Sequence, residues 1–527
     1  MKRLMGWLGD RTGLAGPLRW FFFEGIPGGP RWRYTWVALV VFLFAVQVVT
    51  GFFLLTHYSP SMQTAWESVH YLQEQTRWGR WLRGIHAIAA QAFVVALVLH
   101  LAQMILHRLY RAPREVVFWL LLAMVGLSIK MSVTGWVLPF DQKGYWAARV
   151  PLNLIGLAPG IGLWLQRLAL GGPEFSHLSL TRMAAFHTVW FPAVMAVLMG
   201  AYFVLTHRFR RSLPAEEPAK ALPYWPHQAW RDALVCLLVM AGILVAVAAP
   251  LLRGEPAGVE LMAPADPSEL YPAARPEWFM LWLFQLLKFF PGEAEFIGAM
   301  VIPGLLFLLV AIMPWTGRSR AGAAFNSAFI CVAGFGAVAL GVWAAWIDRH
   351  DPAHQAAIQR ARLEAQRARE LASSPAGIPP EGALAMVRED PWLMGPRLFN
   401  QHCASCHRYD GHDGLGNTPA EPPSASDLAG FASREWLTGL LDPKRITSPH
   451  YFGGTSHADG KMVRFVRRDL ARLEEEDRAK LPAAIAALSA EAGLPAQQEA
   501  DARDRELIAR GREYIRGEPF YCVDCHQ

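Results

Sequence analysis

Apolar residues are concentrated in seven stretches of the chain that contain few charged side chains. A helix needs about 20 residues, at 1.5 Å per residue, to cross roughly 30 Å of hydrocarbon, and every stretch meets this length. The pattern therefore predicts an all-α fold whose first two thirds form a bundle of seven transmembrane helices. The seven stretches are 34–56, 82–107, 115–137, 183–206, 230–250, 295–315 and 322–346.

The positive charges of this region lie in the connections between the apolar stretches. Cytoplasmic connections are enriched in Lys and Arg, which places the N-terminal end and the loops after the second, fourth and sixth stretches in the cytoplasm. The segments 138–182 and 251–294, and everything after about residue 347, are then predicted on the opposite, outer side. The side chains that set this orientation are Lys2, Arg3, Arg31, Arg33, Arg108, Arg111, Arg114, Arg208, Arg210, Arg211, Arg318 and Arg320.

The composition of the chain agrees with a lipid environment for most of its length. Of the 527 residues, 53% are hydrophobic and only 18% are charged, which excludes a disordered protein. The formal charge of +6 does not indicate nucleic acid as a partner, because the cations lie in short loops beside the predicted spans. We therefore expect a multi-pass protein of the bacterial cytoplasmic (inner) membrane that binds no nucleic acid.

After residue 347 the pattern changes to that of a soluble tail. Residues 348–389 are rich first in Ala, Arg, Glu and Gln and then in Pro and Gly, which predicts a polar helix followed by a linker. Residues 390–490 have the length of one small α-helical domain. Residues 503–527 resemble the start of a second domain that ends abruptly, and residues 1–33 form an N-terminal cytoplasmic segment.

Four of the six cysteines in the chain occupy two CxxCH motifs. CxxCH is the attachment signature of c-type haem, in which two thiols bond the vinyl groups and the adjacent His supplies one axial nitrogen to the iron. A thioredoxin-like or zinc-binding pair is the alternative interpretation. Haem is favoured, because covalent haem attachment in bacteria takes place outside the cytoplasm, where both motifs are predicted. The motifs consist of Cys403, Cys406 and His407, and of Cys522, Cys525 and His526.

A low-spin haem needs a second axial ligand, and Met raises its reduction potential relative to His. Met462, in the loop-like segment "GTSHADGKMVRF", is the candidate for the first motif. The alternatives are that His457 is the ligand or that Met462 is only a surface side chain. Only one residue follows the second motif, so its haem either takes a ligand from elsewhere or belongs to a domain that is cut short. We favour the truncated domain.

Histidines within two of the predicted spans provide a further set of haem ligands. His86 and His100 lie in the second span and His187 in the fourth, and imidazoles inside a bilayer are costly enough to indicate function. Fourteen residues turn a helix by about 1,400°, within ~40° of the same face, and rise ~21 Å. Two haems stacked across a bilayer need that spacing.

The sequence resembles cytochrome b of the quinol:cytochrome c reductases, which are the cytochrome bc and bf complexes. The resemblance covers about residues 25–347 and includes "QVVTGFFLLTHYSP", "RGIHAIAAQAFVVALVLH", "TGWVLPFDQKGYWA", "LTRMAAFHTVWFP" and "RPEWFM" in the family's order. It implies a haem-carrying four-helix part at 34–225 and a three-helix part at 226–347. With the cytochrome c tail, the chain is similar to the fused b/c subunits of some bacteria.

The resemblance also implies roles for individual residues. His86 and His187 would hold the outer haem b, with Gly51 and Gly135 letting the macrocycle pass close to their helices. Glu277 would be the base that takes protons from quinol, since the oxidation of quinol releases protons. The quinol pocket that the family implies consists of Pro276, Glu277, Trp278, Phe279, Gly135, Pro139 and Phe140.

This sequence departs from the family pattern at three places around the inner haem. Ala201 and Tyr202 stand where the family's second histidine should follow His187, and Val37 and Leu121 stand one haem spacing before Gly51 and Gly135, where further glycines are expected. Our hypothesis is that the inner haem is missing or strongly altered, leaving one haem b. His100 itself is the observation against it, and Tyr202 could ligate iron.

His207 matches the place where many relatives contact quinone at the inner site. Its offset from His187 corresponds on an unbroken helix to a turn of ~200°, so it cannot replace the missing ligand. The alternative interpretation is a helix end that reaches the membrane surface beside Arg208 and Arg210.

The pattern as a whole predicts a membrane subunit that oxidises quinol and passes electrons through haem b and a Rieske iron–sulfur partner to haem c outside the cytoplasm. The expected partners are the Rieske protein, a cytochrome acceptor, quinol and a second copy of the chain. The first alternative is a non-bifurcating b/c haem anchor or conduit of another respiratory complex, and the second is a scaffold with degenerate haem sites.

Overall fold

The computed structural model describes residues 2–13, 16, 22–23, 25–26, 29–209 and 222–526. Arg210 and Arg211, which entered the orientation argument, lie outside the described residues. The chain forms two compact units, residues 1–387 and residues 388–527. Nearly all regular structure is helical, and a two-residue antiparallel pair, Gly25–Ile26 with Leu222–Pro223, is the sheet found in the described part of the chain.

The longer helices of the first unit follow one another in an alternation of long and short elements. They are α1 (Lys2–Thr12), α2 (Thr35–Leu55), α3 (Ala65–Gln75), α4 (Gly79–Leu106), α5 (Glu115–Trp136), α6 (Gln142–Gly156), α7 (Gly162–Leu170), α8 (His177–Ala185), α9 (Phe191–Arg208), α10 (Ala229–Ala248), α11 (Leu281–Leu287), α12 (Ile302–Ala311), α13 (Arg320–His350), α14 (Pro352–Ala372) and α15 (Ala383–Glu389).

Six helices in the described part of the chain are long and apolar enough to cross a membrane, which supports the predicted membrane bundle. They span Trp32–Leu55, Gly79–Leu106, Glu115–Trp136, His177–Arg208, Ala229–Arg253 and Arg320–His350.

The predicted count of seven spans is not confirmed. The stretch predicted at 295–315 is interrupted, and its apolar helical part, Ile297–Ala311, covers only about 22 Å at 1.5 Å per residue. The prediction that the two termini lie on opposite sides depends on this segment.

The core of the first unit lies between α2, α4, α5, α9 and α10. α4 packs against α2, α5 and α10, while α9 packs against α5. Large apolar side chains such as Leu43, Leu97, Leu121 and Met195 are fully buried among these helices. The outward faces of α10 and α13 remain apolar and exposed, as a lipid-facing surface requires; Phe335, for example, is 77% exposed.

Short helices cover the bundle at the end that we call outer, where 138–182 and 251–294 lie. Asp141 starts α6, because its carboxylate accepts hydrogen bonds from the backbone N–H groups of Gly144 and Met262. The neighbouring backbone bond from Gln142 N–H to the Ala263 carbonyl ties α6 to the segment that precedes Glu277. The start of α6 is thereby fixed against the segment that contains Met262 and Ala263.

The polar helix predicted after residue 348 is α14, and it packs on this outer layer. Asp351 caps it by accepting from Ala353 N–H and His354 N–H. Its alanine stripe, which includes Ala361 and Ala365, packs against Met262.

The second unit is built from α16 (Pro391–His402), α17 (Arg434–Leu440), α18 (Leu481–Glu491), α19 (Gln498–Arg503) and α20 (Arg505–Arg516). Its apolar core gathers side chains from α17, α18 and the loop between them, among them Trp436 and Tyr451. α20 crosses α18 so closely that a Cβ on Gly511 would lie 1.9 Å from the Ala483 carbonyl oxygen. Only glycine permits this crossing.

We predict that Gly511→Val destabilises the second unit by about 2 kcal/mol or more, because the backbone of Ala483 cannot yield to the added carbons. Thermal unfolding of the purified full-length protein, followed at the c-type haem absorbance, should shift down by roughly 5–10 °C. Gly395→Val is the matched control, because a Cβ on Gly395 of α16 would meet nothing within 4 Å. Equal shifts in the two variants would contradict the observed crossing.

Candidate functional site

A cavity of about 610 Å³ extends from the middle of the helix bundle to its outer end. This is the size of pocket that holds a cofactor or a drug-sized ligand. His86 and His187 line its inner part, and Glu277 and Phe279 line its outer part. Two predicted sites, one for haem b and one for quinol, therefore belong to one continuous space.

The two imidazoles at the inner part of the cavity are held in the same tautomer. The Thr50 hydroxyl donates to the Val46 carbonyl, so it must accept from His86 Nδ1–H at 2.8 Å. His187 Nδ1 lies 2.9 Å from the Met131 carbonyl, which can only accept. In both rings Nε2 is left with its lone pair, which is the arrangement of a metal-ligating imidazole.

The spacing of the two rings fits an iron between them. Their centroids are 6.2 Å apart. A metal–imidazole bond of about 2 Å on each side, plus half the width of each ring, also gives about 6 Å. The distance between the centroids is therefore compatible with an iron held between the two imidazoles.

Glycines leave the room that a macrocycle needs beside these rings. A Cβ on Gly135 would lie 2.6 Å from His187 Cε1, and a Cβ on Gly51 would lie 3.3 Å from His86 Cε1. Any larger residue would push against an imidazole at these points. The predicted set of His86, His187, Gly51 and Gly135 is thus brought together by the fold and suits haem b.

His187 lies in a π-helical turn, Phe186–Trp190, which separates α8 from α9. Such a turn adds one residue to the helix and shifts the faces that follow it, and it is common at functional sites. The premise of an unbroken helix after His187 was therefore wrong, and the offset of ~200° expected for His207 on such a helix does not hold. The sequence gives no clear signal for this turn.

The outer part of the cavity contains the predicted base in a network of polar contacts. Glu277 Oε1 forms an ion pair of 3.0 Å with Lys143 Nζ, and the Gln91 amide donates to Glu277 Oε2 at 3.5 Å. The Trp278 indole N–H donates to Gln91 Oε1 at 2.8 Å. Sequence reasoning missed Gln91 and Lys143, although Lys143 stands inside the quoted segment "TGWVLPFDQKGYWA".

Tyr58 also lines the cavity but is unsuited to act as a base. Burial raises the pKa of its hydroxyl, and that hydroxyl donates to the Leu138 carbonyl at 2.8 Å. Among the carboxylates beside the cavity, Asp141 is committed to capping α6. Glu260 also lines the cavity, but its carboxylate lies 4.0 Å from Arg362 and from Arg369. Glu277 is the remaining carboxylate in the lining.

Three of the predicted quinol-pocket residues do not line the cavity. Phe140, with a φ of 47°, packs its ring against Tyr145 and Phe175 within the outer layer. Trp278 is 59% exposed and reaches the cavity only through Gln91. Pro276 is absent from the cavity lining. Gly135, Pro139, Glu277 and Phe279 do line it.

The predicted inner haem position is filled by protein. His100 Nδ1 lies 3.0 Å from Gln103 Oε1, and a hydrogen bond of 2.5 Å joins His100 Nε2 to the Tyr202 hydroxyl. The Trp36 ring is stacked on the His100 imidazole with their centroids 6.0 Å apart. Two axial ligand atoms need about 4 Å between them, so this arrangement does not fit an iron.

The predicted glycine replacements agree with a filled inner site. Leu121 is completely buried in the same apolar core as Tyr202, and Val37 packs on that core. Arg114 is the feature that would suit an anionic group there, since its Nε and Nη1 are buried without a partner among the described residues. His207 lies in the last turn of α9 and does not line the cavity.

In the second unit the first CxxCH motif has the local form that haem attachment requires. His407 N–H donates to the Cys403 carbonyl, which folds the motif into one turn, and His407 Nδ1 lies 2.7 Å from the Ser426 carbonyl. Nε2 is again left for a metal. Met462 packs on the apolar core that contains Trp436, and no described contact joins it to His407.

Asp427 stabilises the loop that carries the Ser426 carbonyl. Its burial opposes a negative charge, but hydrogen bonds from the backbone N–H groups of Ala429, Gly411 and Asp410 outweigh this cost and hold the pKa of its carboxyl below the ordinary value.

The second CxxCH motif has the same turn as the first, with His526 N–H bonded to the Cys522 carbonyl. Cys522 packs on the core that also receives Met462, while Cys525 is exposed. That the segment begins a second cytochrome c domain stays a prediction.

We predict that one extractable haem is bound per chain and that His86→Leu or His187→Leu abolishes it, because each removes one axial nitrogen. His100→Leu is the control and should keep that haem, since its Nε2 is occupied by Tyr202. A pyridine haemochrome assay after acid–acetone extraction measures the difference. Two extractable haems in the unmodified protein, or loss of one in His100→Leu, would contradict the filled inner site.

Comparisons with known proteins agree with both parts of the chain. The family model for cytochrome b/b6/petB matches residues 29–210, and the model for cytochrome c matches residues 394–488. The solved structure of a hyperthermophilic respiratory Complex III has the same fold with a TM-score of 0.55 and 21% identity, covering 68% of this chain and 95% of that one.

Two curated relatives show the family to which this chain belongs. Cytochrome b of Rhodobacter capsulatus is 29% identical over 353 residues, which is 65% of this chain and 76% of the relative. Cytochrome b of Venturia inaequalis is 31% identical over 300 residues, which is 56% of this chain and 75% of the relative. The chain therefore belongs to the cytochrome b family of bc-type complexes and carries a cytochrome c domain in the same polypeptide.

Proposed function

We propose that this chain is the quinol-oxidising subunit of a bc-type complex, in which haem b and haem c carry electrons away from quinol. Membership of the family establishes membrane electron transfer. The observation that carries the finer proposal is the single cavity that joins the His86–His187 pair to Glu277. A quinol in the outer part would lie between a proton acceptor and an electron acceptor.

The residues of the cavity perform the binding and the proton chemistry. Phe279, Pro139 and the Gly135 backbone form an apolar wall for the quinol ring, and Glu277 accepts the hydroxyl proton that must leave with the electron. Haem bound between the two imidazoles supplies one-electron redox chemistry. The wall keeps water from the electron-accepting end.

The first electron of quinol has no acceptor within the cavity of this chain, so we place a Rieske-type iron–sulfur protein at its outer end. The tail domain then passes electrons to a further cytochrome on the periplasmic side of the bacterial inner membrane. A homodimer and a second haem c at Cys522 and Cys525 complete this assignment.

The filled inner site favours a second candidate function. Without an inner haem the second electron has no carrier toward the cytoplasmic side. The chain would then be a non-bifurcating conduit, in which both electrons of quinol pass toward haem c. The hydrogen bond between His100 and Tyr202 is the specific observation behind this alternative.

We predict that Glu277→Gln slows quinol-dependent reduction of haem b by roughly tenfold or more, because the amide cannot take the proton. Stopped-flow measurement of the b-type absorbance after mixing with reduced quinone gives the rate. Reduction by dithionite should be unchanged, which shows that the haem is still in place.

Glu255→Gln is the matched control, since Glu255 is paired with Arg253 on the outer surface and does not line the cavity. A rate for Glu277→Gln equal to that of this control would mean that electrons enter haem b by another path. That outcome would favour a conduit fed by a different subunit.

A further inference from the structure

Lys143 stands at a position that ordinary helix electrostatics disfavours. It is the second residue of α6, whose first turn carries partial positive charge on its unpaired N–H groups. A cation there costs stability, whereas an acidic side chain would add it. Such an unfavourable local choice needs a compensating interaction elsewhere.

The compensating partner is the predicted base. Lys143 Nζ lies 3.0 Å from Glu277 Oε1, the Lys143 side chain is 48% exposed and that of Glu277 only 20%. The cation therefore lies between the shielded carboxylate and the solvent. Both side chains line the cavity.

Other cations near the cavity are held by different partners. Arg275 forms two hydrogen bonds with Asp348, and Arg83 bonds the backbone carbonyl of Val259. Neither is recorded in contact with Glu277. Within the described residues, Lys143 is thus the cation that directly contacts Glu277.

The backbone around Lys143 is fixed, so the contact is built into the fold. Asp141 caps α6, and Gln142 N–H binds the Ala263 carbonyl, which anchors Lys143 from the residue before it. On the other side Gln91 receives the Trp278 indole N–H and donates to Glu277. Glu277 is therefore held from one side by an amide and from the other by a cation.

We propose that Lys143 is a positioning residue for quinol oxidation, acting through Glu277. It holds the Glu277 carboxylate oriented at the cavity until quinol binds. When the quinol O–H bond breaks and its proton forms a new O–H bond on Glu277, the ion pair is lost. Glu277 then releases the proton to water on the exposed side of Lys143, and the ion pair forms again. This inference rests on the proposed function.

The test compares Lys143→Met, Lys143→Arg and Lys288→Met in the holoprotein, by the rate of haem b reduction as a function of quinol concentration. Lys143→Met should lower the saturating rate roughly three- to fivefold, the size expected from a half-exposed ion pair, with the half-saturating concentration unchanged within twofold. Lys143→Arg should restore most of the rate. Lys288→Met is the control and should leave the saturating rate unchanged. The Lys288 ammonium lies over the Phe284 ring, and Lys288 does not line the cavity.

A second comparison separates positioning from simple structural support. In the Glu277→Gln background, Lys143→Met should cost less than twofold, because its partner is already neutral. A full loss in that background, an unchanged rate in Lys143→Met, or no rescue by Lys143→Arg would each overturn the inference. If Glu277→Gln alone had no effect, the proposed function would fail as well; if it slows reduction but Lys143→Met does not, only the role of Lys143 fails.

Discussion

The candidate haem ligands of this chain share one constraint, an imidazole whose Nδ1–H is fixed by a hydrogen bond. His86, His187 and His407 each donate that hydrogen to an oxygen that cannot give one back, a committed hydroxyl in one case and a backbone carbonyl in two. The three histidines lie in different parts of the fold and in different environments. In all three, Nε2 is left available for a metal. In the bundle this fixation combines with glycine on the facing helices, so ring direction and free space are set together.

The inner site shows that fixing the imidazole is not sufficient. His100 has the same tautomer, since Gln103 Nε2 donates to the Arg33 carbonyl and its Oε1 is left to accept from His100 Nδ1. Its Nε2, however, receives the Tyr202 hydroxyl, and Leu121 is buried in the same apolar core as Tyr202. A ligand that would hold iron in one environment is here a satisfied member of an apolar core, because the groups opposite it changed.

Much of the bundle follows from the sequence, because apolar length and CxxCH spacing report directly on bilayer thickness and haem chemistry. The pairing of His86 with His187, and the departures at Val37, Leu121 and Tyr202, followed from the resemblance to the cytochrome b family. What could not be read are the features that depend on contacts between distant segments. The π-turn at His187 has no local signature, although its extra residue explains why Tyr202, rather than Ala201, faces His100. Lys143 and Gln91 are unremarkable in sequence, and only the fold brings both to Glu277. Phe140 matched a family motif, but its ring packs against Tyr145 and Phe175 in the outer layer.

The filled inner site also constrains how the proposed reaction can conserve energy. Quinol delivers two electrons, and in a cross-membrane cycle one of them must move to the opposite side through a second carrier. If the position between His100 and Tyr202 holds no iron, both electrons stay on the outer half of the bundle, where the proposed topology also places the tail. A cytochrome c domain in the same polypeptide then serves a specific need, because a covalently connected acceptor replaces a diffusing one. The packing of α14 on Met262 shortens the free part of that connection, since the chain stays bound to the first unit through much of the segment that its composition predicted as a helix and linker.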